Sequence, residues 1–246
     1  MTQPVEPFTD FAPYYDSFML KCVDYEGWVK YIEKIFKQFK FKPKTILDLA
    51  CGTGIPTILL AKRGYQMIGV DRAKAMLEIL KKKSKGYNII TYEADIRDFT
   101  LPEPADACIC LYDSINYLLT EEDLEQCFKC VRRGVKKGGL FIFDMNTIYG
   151  LKVFWGNRES VREAGNVNSV WHNTYDETTA ISTLYLTCQV KDENRTFLEI
   201  HKERAYDLPL IQKLLFDCGF SLVNFYHHGT FIPPTPFSVR VMVVAK

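Results

Sequence analysis

The chain has 246 residues, 47% of them hydrophobic and 25% charged, a length and composition that can bury a sizeable core and suit a soluble globular protein. A formal net charge of +1 at pH 7 excludes an overall field that would draw it to nucleic acid or to an acidic membrane. The start, MTQPVEPFTDF, has neither a basic n-region nor an apolar h-region, and no run approaches the ~20 apolar residues of a membrane span, so a cytoplasmic protein is expected.

From Asp24 to Phe39, apolar Trp28, Ile32, Ile35, Phe36 and Phe39 recur at helical spacing until Pro43 bars continuation, which predicts an amphipathic N-terminal helix. TILDLA then reads as a buried strand and IPTILLAKRG as a short helix, with Pro56 in its first turn and Gly64 as its stop. YQMIGVD, AKAMLEILKKKSKG and YNIITYEAD repeat the strand, helix, strand rhythm. ADACICLYD is a fourth apolar run, Thr120 with Asp123 predicts the start of the next helix, Gly138-Gly139 predicts its end, and GLFIFDMN is the fifth strand. Basic runs at Lys81–Lys85 and Arg132–Lys137 fall at helix ends, where positive charge complements the helix dipole. Of eight scattered cysteines only Cys127 and Cys130 make a CxxC. They sit inside a helix pattern with no second ligand pair, so core thiols are expected and no metal site.

After Asn146 the rhythm changes. WHNTYDETT, AISTLYLTCQV and RTFLEIHKERAY alternate polar and apolar residues around the turn-like KDEN, which predicts antiparallel strands. Asp207 then caps a last helix, and SLVNFYHH and SVRVMVVAK read as closing strands. The expected fold is α/β: a doubly wound, mostly parallel seven-stranded sheet with an antiparallel β arm inserted after the fifth strand. Its expected divisions are 1–146 for the N-terminal helices and ligand-binding core, 147–206 for the arm over the substrate site, and 207–246 for the closing helix and strands of the core.

Ligands of such a sheet bind beyond the carboxyl ends of the strands, where strand order reverses. Asp48 to Gly54, Asp71, Asp95, Tyr112 with Asp113, and Asp144 to Asn146 fall at five successive strand ends. Gly52 and Gly54 allow close backbone approach. A dinucleotide site usually places a small residue three positions after the second glycine, beside the pyrophosphate, and here that residue is Thr57. A carboxylate at Asp71 suits the two hydroxyls of a ribose, and one at Asp95 suits the exocyclic amine of an adenine. Turn former, helix cap and loop acid are the plainer readings of Asp48, Asp71 and Asp95 taken singly.

LDLACGTG resembles motif I of the class I S-adenosylmethionine-dependent methyltransferases, GVD their motif II and EADI their motif III, while GGLFIFDMN matches their post-motif strand and YYDSFM extends the likeness to the N-terminus. The chain is most similar to small bacterial members with a β arm after the fifth strand, whose fold is Rossmann-like. The resemblance implies S-adenosyl-L-methionine as cofactor and S-adenosyl-L-homocysteine as product. It implies that Gly52 and Gly54 pass under the ligand, that Asp48 holds the loop and the ligand ammonium, and that Ala50 and Cys51 contribute backbone. It further assigns Asp71 to the ribose, Asp95 to the adenine amine, Ile96 to the adenine face and the Leu111 carbonyl to the ammonium, with Tyr15 and Trp28 folding over the cofactor.

Methyl transfer is an in-line displacement in which alignment supplies most of the rate. Aromatic faces such as Tyr112 or Tyr117 would favour the sulfonium, or simply wall the site. Asp113, Ser114 and Asn116 could orient a small acceptor or cap the following turn. LYDSINYL lacks the N-P-P-Y-like tetrad of amino-methyltransferases acting on nucleic acid, which leaves a small-molecule acceptor, methylated on O or N, as the expected partner. In the arm, alternation puts Glu199, His201 and Glu203 on one face, and His201 is the best candidate for a general base, a surface or satisfied arm histidine being the plainer reading. Of the adjacent His227 and His228 at most one would face a site. Arg240 would neutralise an acidic substrate or pair with a carboxylate. The competing readings are an NAD(P)-dependent Rossmann oxidoreductase, against which Thr57 argues, and a module that binds the cofactor without catalysis.

Overall fold

A computed structural model describes residues 3–246. Two sheets make up the architecture, one of seven strands and one of five. The larger contains β2 (Thr45–Leu49), β3 (Gln66–Asp71), β4 (Ile89–Glu93), β5 (Ala105–Cys110), β6 (Val135–Asn146), β11 (Val223–His227) and β12 (Arg240–Ala245) in the order β11-β12-β6-β5-β2-β3-β4. The five strands from β2 to β6 pair in parallel, and β12 and β11 close one edge antiparallel. Sequence order runs outward in one direction from β2 to β4 and in the other from β5 to β6. The reversal therefore lies between β2 and β5, and a ligand crevice belongs at their carboxyl ends.

The strands are apolar on both faces because helices cover both. Leu47 and Leu49 point to the layer of α5 (Glu121–Gly134) and α6 (Leu208–Asp217), where Phe128, Val131 and Leu215 are fully buried. Ile46 and Ile109 point the other way, onto Ile32 and Ile35 of α2 (Tyr25–Gln38) and Leu60 of α3 (Ile55–Lys62). Each such side chain contributes about 1.5–3 kcal/mol by leaving water. The helix starts follow their capping residues: Asp24 accepts from Gly27 N at 2.9 Å, Thr120 Oγ1 from Asp123 N at 3.1 Å, and Asp207 from Leu210 N at 2.7 Å.

Gly138-Gly139 does not end a helix. The chain passes directly from α5 into β6, and the glycines lie within that strand beside a register shift against β5. A Cβ on Gly139 would overlap the Asp106 carbonyl oxygen, so the pair permits a bulge.

The smaller sheet has the order β1-β10-β9-β8-β7. β8 (Val167–Asp176), β9 (Ile181–Val190) and β10 (Arg195–Arg204) form the antiparallel meander that the alternation predicts, with a turn at 191–194. Two further strands join it. β7 (Glu159–Ala164) pairs with β8, and its sequence ESVREA lacks an apolar stripe because the strand lies at the sheet edge with Val161 exposed. β1 (Pro4–Val5) runs parallel to β10 across most of the sequence, so the N-terminal segment belongs to the arm's sheet before the chain enters α1 (Ala12–Met19). Among the described residues no helix is long and apolar enough to cross a membrane.

Gly54 joins β2 to α3 with φ of 75°, and a Cβ there would overlap Leu80 of α4 (Lys74–Lys83). Gly54→Ala should therefore cost about 2–4 kcal/mol, the sum of a left-handed non-glycine residue and an overpacked contact, measured as a lower urea midpoint at unchanged slope.

Candidate functional site

A cavity of about 530 Å³ opens at the carboxyl ends of β2 and β5, between the two sheets. Its floor is the loop Ala50–Gly54. Ala50, Gly52 and Gly54 all take positive φ, so the chain curls tightly, with Cys51 N–H donating to the Val70 carbonyl and Gly54 N–H to that of Cys51. Asp48 lies under this loop, 2% exposed, and accepts from Thr57 Oγ1 at 2.6 Å. Thr57 thus stands where a dinucleotide fold has a small residue because its hydroxyl serves the buried acid. Burial, with the neighbouring charge of Asp71, pushes the Asp48 carboxyl up to about 7.

Asp71 closes β3 and steadies the loop. Its Oδ2 accepts from Gly52 N at 2.7 Å and its Oδ1 from Ala73 N at 2.8 Å, which leaves the second lone pair of each oxygen for a ligand. Burial raises its carboxyl above the ordinary range. Asp95 also lines the cavity, in a bidentate pair with Arg97, whose guanidinium holds the acid below its ordinary value and reaches on to Asp123 at 2.7 Å. Cys51, Ile96, Leu111 and Tyr15 complete this half of the wall.

The other half carries Tyr112, Asp113, Tyr117, Asn146, His201, Glu203 and Arg240. Tyr112 and Asp113 follow β5 with φ of 64° and 55°, a costly backbone that brings both side chains back over the strand end. The fully buried Asp144 holds them there, accepting from Tyr112 N at 2.6 Å and Asp113 N at 3.0 Å. Arg240, at the start of β12, donates to Asp113 Oδ1 at 2.7 Å and to Asp144 Oδ2. Of the two expectations for Arg240, the structure thus shows the carboxylate pairing.

The face of β10 that carries Glu199, His201 and Glu203 points inward. Glu199, fully buried, accepts from the backbone N–H groups of Phe8, Thr9 and Phe11 at 2.8, 3.1 and 2.9 Å. It thereby ties the N-terminal segment to the arm and sets a negative charge at the start of α1. His201 is wedged behind it. Nδ1 meets Tyr117 OH at 3.1 Å, and Nε2 lies 3.2 Å from Glu199 Oε2, off the line that a hydrogen bond needs. Nothing in the sequence points to the Glu199 clamp, because its partners lie 188 to 191 residues away.

Trp28 is not on the cavity wall. It packs behind Tyr112 at 5.6 Å between ring centroids and against His228 at 4.2 Å, because α2 turns its buried face toward β11 and β12. His228 is half-buried there and pushed down to about 4 by that burial and by the charge of Arg240, while His227 Nδ1 pairs with Ser238 Oγ at 2.9 Å. Among the described residues no group of side chains is arranged to hold a metal ion.

A family model described as a methyltransferase domain matches residues 46–139, from β2 into β6. The protein YqeM of Bacillus subtilis, whose name calls it a methyltransferase, is 28% identical over 243 residues, covering 97% of this chain and 96% of its own. A crystal structure of an S-adenosylmethionine-dependent methyltransferase from Clostridium acetobutylicum superposes with a TM-score of 0.85 at 29% identity, covering 96% of this chain and 97% of that one. A dTDP-3-amino-3,4,6-trideoxy-α-D-glucopyranose N,N-dimethyltransferase of Streptomyces venezuelae is 26% identical over 136 residues, 55% of this chain and 56% of that protein.

Asp48 gives the cavity floor a pH signature. Its folded-state carboxyl is raised to about 7 from the ordinary 3.8 of an aspartate, so the folded protein binds the proton more tightly and stability falls as pH rises through this window. Asp48→Asn should remove that dependence, making the variant more stable than the parent at pH 8 by up to about 4 kcal/mol and far closer to it at pH 4, read from urea midpoints of the ligand-free protein.

Proposed function

We propose that this chain, a class I S-adenosylmethionine-dependent methyltransferase by its family model, relatives and fold, is a cytoplasmic enzyme that moves the methyl group to an O or N of a small-molecule acceptor. The observation that carries the reading is one cavity at the strand-order reversal whose two halves differ in chemistry, a carboxylate-bearing loop at one end and a buried polar cluster at the other. The cofactor supplies a methyl carbon on a positively charged sulfur, an electrophile that needs an aligned nucleophile more than a strong base.

The residues present suit that ligand. Gly52 lines the cavity with φ of 54°, and a Cβ built on it meets nothing within 4 Å, so the loop offers a bare backbone surface to a flat or extended group. An acid under the loop, Asp48, would repel a pyrophosphate and attract an ammonium. In this reading Asp48 and the Leu111 carbonyl face the amino-acid portion, Asp71 takes the ribose hydroxyls, and Asp95 with Ile96 takes the adenine. Ala50, Cys51, Gly52 and Gly54 give backbone, and Tyr15 covers the ligand. Trp28 acts through Tyr112 and Arg240, against which it packs. Residues 147–206 serve as the acceptor arm, and 1–146 with 207–246 as the cofactor domain.

At the acceptor end, Tyr112 and Tyr117 present aromatic faces and Asp113 a polar one. His201 Nδ1 is engaged by Tyr117 OH and the ring is buried behind Glu199, so it orients Tyr117 rather than standing free as a base. The name of the Streptomyces relative, a dimethyltransferase of an aminosugar nucleotide, supports a small acceptor. A formal net charge of +1 supports an acceptor other than nucleic acid.

Calorimetry with S-adenosylhomocysteine should show one site per chain, weakened about 10- to 100-fold in Asp71→Ala, the loss expected for hydrogen bonds from two hydroxyls to a carboxylate. Absence of binding to the parent protein would remove the reading.

A further inference from the structure

The acceptor end of the cavity is short of positive charge. Asp113, Asp144 and Glu203 converge there from the end of β5, from β6 and from β10, and among the described residues Arg240 alone forms ion pairs with them, while Arg72, Arg162 and Lys202 line the cavity without touching them. Arg240 is committed to Asp113 and Asp144, and Asp144 is further engaged by the Tyr112 and Asp113 N–H groups behind the wall. Among the described residues Glu203 forms no ion pair, and its carboxyl is in hydrogen-bond contact with that of Asp113. Its hydrogen-bond donor is Asn146 Nδ2 at 2.9 Å, and the same amide nitrogen reaches Asp113 Oδ2 at 3.0 Å.

Those two contacts fix the Asn146 amide, because only its NH₂ group can face two carboxylates. Its Oδ1 therefore points away from them. Asn146 lines the cavity, is 2% exposed, and its Oδ1 has no hydrogen-bond partner. A buried acceptor without a donor is costly to the fold unless a ligand supplies one. The wall thus offers three acceptors, Asp113 Oδ2, Glu203 and Asn146 Oδ1, and asks for a group that brings several N–H donors and a positive charge.

We propose that the methyl acceptor is an amine that enters as its ammonium form, is held by Asp113, Asn146 and Glu203, and loses one proton to the Glu203 carboxylate. The inference rests on the methyltransferase reading of the cavity. With the proton on Glu203, the nitrogen lone pair forms the bond to the methyl carbon while the carbon–sulfur bond breaks onto sulfur. The products are an N-methyl ammonium, a neutral thioether and one proton, which leaves from Glu203 to solvent, so that two positive charges stand on each side. A hydroxyl acceptor brings one donor and no charge, and could not serve both the unpartnered Asn146 Oδ1 and the two carboxyl groups beside it.

Glu203 rather than Asp113 takes the proton because Asp113 is already neutralised by Arg240. Burial, and then the charge of Asp113, push the Glu203 carboxyl well above the ordinary carboxylate range, toward that of the acid it must deprotonate.

The test compares primary amines with their isosteric alcohols by calorimetry on the protein saturated with S-adenosylhomocysteine: cyclohexylamine against cyclohexanol, benzylamine against benzyl alcohol, and glucosamine against glucose. We expect at least one amine to bind about tenfold or more tightly than its alcohol. In Glu203→Gln that margin should shrink to about threefold or less while the affinity for S-adenosylhomocysteine stays within about threefold of the parent. Equal binding within every pair, absence of binding included, overturns the proposal, as does a preferred alcohol or an amine preference that survives in Glu203→Gln. The parent comparison decides even if the variant does not fold. Failure of S-adenosylhomocysteine to bind the parent overturns the cofactor reading itself, and the amine proposal with it.

Discussion

The buried carboxylate of Asp144 is the interaction on which the carboxyl edge of the sheet depends. β5 ends in the core, and the chain must reverse at Tyr112 and Asp113 in a left-handed conformation that costs about 1–2 kcal/mol per residue. Two N–H groups donating to a charged oxygen contribute about 1.5–3 kcal/mol each, enough to hold the turn. A carboxylate in that position is affordable only if it is paired, since an unpaired buried charge costs several kcal/mol. Arg240 pairs it, and to do so β12 must begin beside the last residues of β6, where Arg240 is in register with Asn146. One network therefore sets the turn after β5, the end of β6 and the start of β12, and the acceptor wall is assembled as a by-product of satisfying it.

The parts of this arrangement that were legible in the sequence are those governed by local pattern. Apolar runs and period-3.6 spacing located β2 to β6 and the helices between them, because β2, β3, β5 and β6 are buried on both faces and β4, half-exposed at the edge, keeps an apolar core-facing side between its turns. The strand-end acids could be read for the same reason: position relative to a strand end is a property of the chain alone. Gly138-Gly139 misled because a glycine pair stops a helix and permits a bulge equally well, and only contact with Asp106 in the adjoining strand tells them apart. β7 escaped because an exposed edge strand needs no apolar stripe.

Long-range pairings were not legible. Glu199 reads as one of several acids on an alternating strand, and its role appears only when the segment around Phe8 folds back upon β10. Trp28 has helical spacing, which says that it is buried but not against what. Arg240 stands out as a cation in an apolar strand, a sign of a buried partner. The partner's identity depends on the antiparallel register with β6, which no local pattern encodes.

The alternation of β10 shows how one readable feature divides into separate tasks at different depths. Glu199, His201 and Glu203 share a face, and a histidine between two acids is the natural first candidate for a base. Their surroundings sort them otherwise. Glu199 meets three N–H groups of a segment entering a helix, donors that a buried carboxylate binds as an anchor rather than as a reagent. His201 fills the space between that anchor and Tyr117, so its Nδ1 is taken up by the tyrosine hydroxyl and its Nε2 is shut in beside Glu199. Glu203, farther along the strand, forms no ion pair among the described residues and faces the two residues, Asp113 and Asn146, that the Asp144 network fixes in place. The clamp that closes the N-terminal segment over the cavity and the acid at its acceptor end thus belong to one rigid strand. Any acceptor that engages Glu203 must fit beneath a cover whose position Glu199 has already set.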